Sequence, residues 1–387
     1  MSRAWLLPEH FADILPAGAV QVEQLRRDLL DLASRRGFEL VIPPLLEHLD
    51  SLLSGTGSEL DLQTFKLVDQ VSGRSLGLRA DTTPQVARID AHLLNRPGVT
   101  RLCYCGPVVH TLSAGPNASR EPLQFGAEIY GHAGAESEVE VLELALDAVS
   151  RACPGPLTVD LADARILRGL LAGVVLDPSR LQALAGAVSR KDPEALKALG
   201  PALDTSSRDA LLALLDLYGD VGVLAQAADR LPARSLIRSA LDDLERLGRH
   251  LGAYGPDLTV SFDLADMGGY GYYSGLRFTV YAPCSSAALA RGGRYDEVGA
   301  IFGRNRPAVG FSVDVKALAS CAVTAEPPEA IRAPWSDDPQ LKAVVRQLRD
   351  AGHIVVRELP GEEKSGGGRV FDRVLEHVSG RWILRSV

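Results

Sequence analysis

The chain has 387 residues, 46% of them apolar and 23% charged, and a formal net charge of −8 at pH 7. At roughly 100 to 200 residues per domain, this length holds two or three domains with a sizeable core, and the composition excludes wholesale disorder. The negative balance opposes broad electrostatic binding of nucleic acid. Nowhere do about 18 to 20 apolar residues run together, so no membrane span is expected. The opening MSRAWLLPEHFADILP lacks an apolar stretch of signal-peptide length, and a cytoplasmic protein is expected. Cys103, Cys105, Cys153, Cys284 and Cys321 are odd in number and irregularly spaced, which does not read as a disulfide framework. Cys103 and Cys105 read as two small core residues on one side of a strand, and no cysteine or histidine pair stands at zinc-ligand spacing, so no metal is assigned.

From Pro16 the apolar residues Val22, Leu25, Leu29 and Leu32 recur at spacings of three and four, and Gly37 supplies a stop, so a helix is expected. Phe38–Ile42 reads as a short strand closed by Pro43-Pro44. TFKLVD and SLGLRA, separated by Ser72-Gly73, read as a hairpin. Segments 101–109 and 122–131 read as strands, with a turn-rich loop between them. A long helix follows, with Glu136, Glu138 and Glu140 in its first turns, where negative charge suits the helix dipole. LTVDL at 157–161 reads as a strand. Residues 164–250 shift to Leu and Ala with helical periodicity, broken at Asp177-Pro178, Asp192-Pro193 and Gly200-Pro201, and read as an all-helical module. Strand character returns in LTVSFDLAD, LRFTVYAP and AVGFSVDV. In the tail, IRAPW, a helix through Leu341, Val345 and Leu348, and HIVVREL make a small β-α-β unit. SGGGR at 365–369 reads as a flexible loop before a final helix and strand. Strands joined by hairpins, followed by a helical block, suggest α+β.

No phosphate-binding loop, nucleophile elbow or H-E-x-x-H motif occurs, and the eight histidines are scattered. Three polar clusters interrupt apolar strands: Arg79–Pro84, Gln124 with Glu128, and Tyr270–Gly275 with Arg291–Asp296. Residues four apart on a strand share a face, so Gln124 and Glu128 point the same way, and Gly126 between them leaves room for a ligand. A face offering carboxylates, an amide and tyrosine hydroxyls suits a small zwitterion, with Asp81 holding an ammonium and Glu128 plus a tyrosine holding an imidazole or amine. The competing reading is a solvated sheet face with ordinary edge polarity.

These segments carry a resemblance. LRADTTPQVAR, CGPVV, QFGAEIYG, GGYGYYSG, GGRYDEV and AVGFSVDV, in this order, resemble the core of a class II aminoacyl-tRNA synthetase, and specifically of histidyl-tRNA synthetase, over roughly the first 320 residues. Pro43-Pro44 resembles motif 1, the dimerisation element. GGRYDEV falls where that family has a glycine-rich turn. The resemblance implies an antiparallel sheet core flanked by helices over 1–163 and 251–322, a helical insertion at 164–250, and a small reduced α/β domain at 323–387. It also implies a histidine pocket made of Asp81, Thr83, Gln124, Glu128, Tyr272 and Tyr273. The family has glutamate where Asp81 stands, and the shorter carboxylate is expected to alter affinity.

The positions that serve ATP in that family are changed. His110 replaces the motif 2 arginine, Leu112 and Ser113 replace the following Glu and Arg, Gly268 replaces the arginine before the tyrosine motif, and Ala317 stands where motif 3 ends in arginine. Adenylation needs cations to neutralise charge on the α-phosphate, and losing one such contact costs about 10² to 10³ in rate. Only about 60 residues follow position 325, acidic through Glu358, Glu362 and Glu363, which suits RNA phosphate poorly.

A retained amino-acid pocket, an erased ATP site and a trimmed RNA domain resemble the ATP phosphoribosyltransferase regulatory subunits, paralogues of histidyl-tRNA synthetase. That resemblance implies a non-catalytic chain without cofactor or metal. It also implies L-histidine as ligand, a short-form catalytic subunit as partner and feedback control of the first step of histidine biosynthesis. Self-association through motif 1 and a hetero-octamer of four plus four chains are further implications, with no nucleic acid and no membrane among the partners. Ligand is expected to order the Tyr270–Gly275 and His110–Arg120 loops. Two other readings stay open: a divergent histidyl-tRNA synthetase, and a histidine-sensing paralogue serving an unrelated partner.

Overall fold

The computed structural model describes residues 6–53, 58–116, 118–199, 203–322, 329–361 and 370–387. The chain divides into two compact units, 1–323 and 324–387.

In the first unit, α1 (Pro16–Arg35) buries Leu25 and Leu29 of the predicted stripe together with Ala33, while Val22 and Leu32 pack half-buried at its edges. The expected strand at 38–42 is reduced to β1 (Glu39–Leu40). A small separate sheet contains β2 (Leu46–His48), β3 (Lys66–Val68) and β4 (Ser75–Leu78), with α2 (Leu49–Leu52) and α3 (Ser58–Gln63) between its first two strands. The expected hairpin is the β3–β4 pair. A short helix, α4 (Thr83–Arg88), leads on to β5 (Thr100–Pro107) and β6 (Leu123–Tyr130). The long helix is α5 (Ala135–Ala152), followed by β7 (Leu157–Asp163).

The helical module comprises α6 (Ala164–Leu170), α7 (Pro178–Ser189), α8 (Pro193–Leu199) and α9 (Thr205–Leu214), then β8 (Tyr218–Gly219), α10 (Gly222–Arg230) and α11 (Ser235–Leu251). Its Asp-Pro breaks are helix starts. Asp177 accepts from the Arg180 amide at 2.9 Å and Asp192 from the Ala195 amide at 3.0 Å, each with proline in the first helical position. The Gly200-Pro201 break lies outside the described residues. The module is not wholly helical. β8 pairs with β9 (Leu258–Asp263) through two residues, too few to leave an alternating signal in the sequence. The unit closes with β10 (Leu276–Tyr281), β11 (Ala290–Arg294), β12 (Ala308–Asp314) and α12 (Val315–Cys321).

Nine strands form the main sheet in the order β1-β5-β6-β12-β11-β10-β7-β9-β8, and the six from β5 to β7 are mutually antiparallel. This is the expected α+β class: an antiparallel sheet flanked by helices. Its two faces follow the period-two rule. Cys103, Phe125, Ala127, Ile129, Val309 and Phe311 enter the large core shared with α1 and α5, and Cys105 packs against it. Leu102, Tyr104, Tyr130 and Ala308 face the other way, into a smaller cluster with Val86 and Ala87 of α4.

The glycines of GGRYDEV are not in the turn, which begins only at Asp296. Gly292, Gly293 and Arg294 lie in β11, paired on both sides. Arg294 is buried and points toward the start of α5. Its Nε donates to Glu138 at 2.6 Å, and its other nitrogens reach Ser137, Asp296 and the carbonyls of His132 and Gly134. Glu138, expected to suit the helix dipole, is thus also the largely buried partner of Arg294 that ties α5 to the sheet.

In the second unit, β13 (Ala330–Ala333), α13 (Pro339–Asp350) and β14 (Ile354–Arg357) make the expected β-α-β unit, with β13 and β14 parallel. Ile331, Ala333, Leu341, Val345, Val355 and Leu375 form its core. The expected final helix is instead a strand. β15 (Phe371–Val378) and β16 (Arg381–Ser386) form an antiparallel hairpin closed by Ser379 and Gly380. Both turn residues have positive φ, 49° and 81°, as the tight primed hairpin turn requires. The 365–369 loop, Glu362 and Glu363 lie outside the described residues. Among the described residues no helix is long and apolar enough to cross a membrane.

Removing one partner of a buried ion pair costs about 3–5 kcal/mol. Arg294→Ala is therefore expected to lower the unfolding free energy of the first unit by that order, measured by urea denaturation with circular dichroism. Arg294→Lys is expected to recover part of the loss.

Candidate ligand-binding site

On the α4 side of the sheet, the six residues singled out in sequence are brought together. Gln124 and Glu128 both stand on β6 facing that side, two residues either way from Gly126. Gln124 joins the strand to the turn before α4. Its Nε2 donates to Asp81 Oδ1 at 2.7 Å, and its Oε1 accepts from the Thr82 amide at 3.0 Å. Asp81 also accepts from the Thr83 amide at 3.3 Å. Thr83 Oγ1 donates to Glu128 Oε1 at 3.0 Å, which completes a chain from Gln124 through Asp81 and Thr83 to Glu128.

Glu128 is 1% exposed. Its Oε1 also accepts from the Tyr104 hydroxyl at 3.2 Å. Among the described residues its Oε2 has no hydrogen-bond partner, and neither do the buried hydroxyls of Tyr130 and Tyr295. Each unmatched buried polar group costs about 1–3 kcal/mol, so such a concentration is a site prepared for something else. Glu128 Oε2 and the Tyr295 hydroxyl converge, because both occupy the space that a Cβ on Gly310 would need. Burial pushes the Glu128 carboxyl well above its usual range, with the nearby Asp81 charge adding to the effect.

Tyr272 and Tyr273 form the wall. Their rings meet edge to face at 5.3 Å between centroids, and Tyr272 lies 4.8 Å from Tyr295. Burial raises the Tyr104, Tyr272 and Tyr273 hydroxyls above their ordinary value, so they are neutral donors near pH 7. The set can hold a small molecule with an ammonium group at Asp81 and a second nitrogen donor at Glu128, against aromatic rings.

One sequence expectation is corrected. Gly126 does not leave ligand space, because the Tyr104 hydroxyl fills the position that its Cβ would take. Tyr104 and Gly310 were not marked in sequence as site residues. Their signal is the register that sets Tyr104 beside Gly126 and Gly310 beside Glu128, which only strand pairing defines. Tyr295 belongs to a marked cluster, but nothing local distinguishes it from its neighbours.

The positions where the resemblance places ATP contacts are scattered in role. His110 Nε2 lies 2.9 Å from the Ala80 carbonyl and donates to it. Leu112 and Ala317 are exposed. Ser113 Oγ donates within its own loop, to the Ala118 carbonyl at 2.7 Å. The cations nearby are already engaged. Arg120 bonds the His110 carbonyl at 2.9 Å and stacks on Phe11 and Phe65, while Lys316 bonds the Glu121 carbonyl at 2.7 Å. Gly268 leaves room for the Arg277 guanidinium, which pairs with Asp266 and lies 5.8 Å from the Tyr273 ring centre.

This sheet and face define a synthetase-type fold, and residues 10–318 match the histidyl-tRNA synthetase family. Residues 328–385 match the ATP phosphoribosyltransferase subunit HisZ C-terminal domain. The chain is 57% identical over 385 residues to an ATP phosphoribosyltransferase regulatory subunit of Variovorax paradoxus, covering 99% of this chain and 100% of that one. It is 50% identical to the counterpart from Ralstonia nicotianae, covering 98% of each. A crystal structure from Bacillus halodurans, described as an ATP phosphoribosyltransferase regulatory subunit/histidyl-tRNA synthetase, is similar with a TM-score of 0.80 and 27% identity, over 94% of this chain and 95% of that one. The chain belongs to the ATP phosphoribosyltransferase regulatory subunit family, whose members are non-catalytic.

The raised Glu128 carboxyl sets a pH dependence. Below the ordinary carboxylate value of 4.5 both folded and unfolded chains hold the proton. Above it the unfolded chain releases the proton and the folded chain keeps it, so stability falls as pH rises until Glu128 ionises in place. Glu128→Gln removes this slope. Its stability relative to the unmodified chain is expected to increase above pH 4.5 by up to about 1.4 kcal/mol per pH unit, followed by denaturation across a pH series.

Proposed function

We propose that this chain is the non-catalytic regulatory subunit of an ATP phosphoribosyltransferase, and that its pocket binds L-histidine as the feedback signal. The observation that carries the reading is the buried Glu128, with one unmatched oxygen, facing a tyrosine wall and joined through Thr83 to Asp81. Histidine complements this set. Its ammonium suits Asp81, its carboxylate suits the Gln124 amide as donor, and its imidazole suits Glu128 beside Tyr272 and Tyr273. The partner is a short-form catalytic subunit, which joins ATP to phosphoribosyl pyrophosphate in the first step of histidine biosynthesis. Self-association through the motif 1 region agrees with the exposed Leu40, Ile42, Leu45 and Leu46, and the assembly proposed is four plus four chains. The chain is assigned to the cytoplasm, without nucleic acid, metal or cofactor in this role.

Feedback requires histidine to bind two states of the assembly with different affinity, a coupling commonly worth about 1–3 kcal/mol. The Tyr270–Gly275 and His110–Arg120 segments are the parts proposed to reorganise around the ligand.

The test is phosphoribosyl-ATP formation by the short catalytic subunit from the same genome, with and without this chain, then with L-histidine. Activation on mixing and inhibition by histidine are expected. Glu128→Gln and Tyr273→Phe are each expected to weaken histidine binding at least about tenfold, as for one lost buried hydrogen bond to a charged group. Unchanged histidine affinity in both variants would remove the pocket from the reading. The fold is shared with an enzyme and Arg277 lies beside Gly268, so histidine-dependent ATP–pyrophosphate exchange is the accompanying control. No exchange is expected; measurable exchange would favour a divergent synthetase.

A further inference from the structure

Three of the five cysteines meet at one place far apart in sequence. Cys153 follows the last turn of α5, Cys284 lies in the loop after β10, and Cys321 ends α12. Their sulfurs all lie within 4.8 Å of one another. Cys153 Sγ is 2.8 Å from Cys284 Sγ, and Cys321 Sγ is 3.7 Å from the Cys284 carbonyl. All three are free thiols. Cys153 is buried, Cys321 is half-buried and Cys284 is exposed, so the group opens to solvent on one side.

Packing alone does not account for this arrangement. A buried cysteine serves as a small apolar residue, as Cys103 does in the sheet core, but an exposed cysteine beside two others has no such reason. Soft thiolates select zinc or cuprous copper over harder ions. Zinc–sulfur bonds of about 2.3 Å place the sulfurs of a common ion about 3.8–4.0 Å apart. The Cys153 and Cys284 sulfurs reach that spacing by a side-chain adjustment of about 1 Å. A disulfide would use two of the three sulfurs and would need an oxidant.

We infer that Cys153, Cys284 and Cys321 form a three-thiolate site for a thiophilic d10 metal ion of the zinc class, separate from the tyrosine-walled pocket. Each thiol gives its proton to solvent as the ion binds. Among the described residues no fourth His, Cys, Asp or Glu joins the group, so the remaining coordination position belongs to water or a small exogenous thiol. The bound ion would tie the ends of α5 and α12 to the loop after β10.

The probe is zinc itself, added by calorimetric titration to the reduced, chelator-stripped full chain, with cobalt as a spectroscopic substitute. One ion per chain is expected, with a thiolate-to-cobalt charge-transfer band, protection of the accessible Cys284 and Cys321 thiols from a thiol reagent, and a higher melting temperature with zinc. Cys284→Ser, at the exposed position, is expected to weaken binding at least about tenfold and to abolish the thermal shift, whereas Cys105→Ser leaves both unchanged. Cys321→Ser gives a second, independent loss. The inference is overturned if the reduced chain binds no stoichiometric zinc, or if both serine variants bind it undiminished. Recovery of a Cys153–Cys284 disulfide after oxidation, from a chain that binds no zinc when reduced, overturns it equally.

Discussion

A carboxyl group sits within an antiparallel sheet, buried on every side, with one oxygen given no partner among the described residues. Glu128 is held there by two hydroxyls, from Thr83 and Tyr104, that satisfy only Oε1. The neighbouring structure accommodates this group. Gly310 across the strand pair lacks the side chain that would displace Oε2, and Gly126 on the same strand admits Tyr104. Burial leaves the group short of a cation or a donor, so a ligand that brings one recovers free energy that folding forfeited. Affinity built on such a deficit favours ligands with a correctly placed nitrogen and rejects apolar analogues of the same size.

The same face explains why a shared fold need not share a reaction. The positive charges around the pocket are held by internal partners. Arg79 is buried and donates to the carbonyls of Pro43 and Pro107. Arg120 stacks between two phenylalanines, Lys316 caps the Glu121 carbonyl, and Arg277 pairs with Asp266. A polyphosphate would have to compete with each of these contacts, and the surface positions of Leu112 and Ala317 offer it nothing. The proposed recognition of a zwitterion and the stabilisation of a charged transition state are therefore separable on one scaffold, because they draw on different side chains at its rim.

Much of this was legible from alternation and spacing. Phe125, Ala127 and Ile129 against Gln124, Gly126 and Glu128 declare two faces of one strand, and Val22, Leu25, Leu29 and Leu32 declare one face of a helix, of which Leu25 and Leu29 are fully buried. Contacts that depend on register or on distant chain crossing left no local trace. Arg294 and Glu138 are 156 residues apart, and Cys153 and Cys284 are 131 apart. The expected final helix became β15 for a different reason. Phe371, Val374, Leu375 and Val378 fit helical spacing as well as any surface helix does. A two-residue turn with positive φ at Ser379 and Gly380 imposes pairing with β16 instead, and tertiary pairing overrides the periodicity.

The main sheet ends on both sides in strands of only two residues, β1 and β8. A long outer strand would present a ladder of free amides and carbonyls to which another chain could add, without limit and without geometry. Here that ladder stops after one or two rungs. In the self-association proposed above, copies of the molecule meet through side chains such as the exposed Ile42 and not through an extended ladder on this sheet, so the side-chain surfaces set the geometry of the assembly.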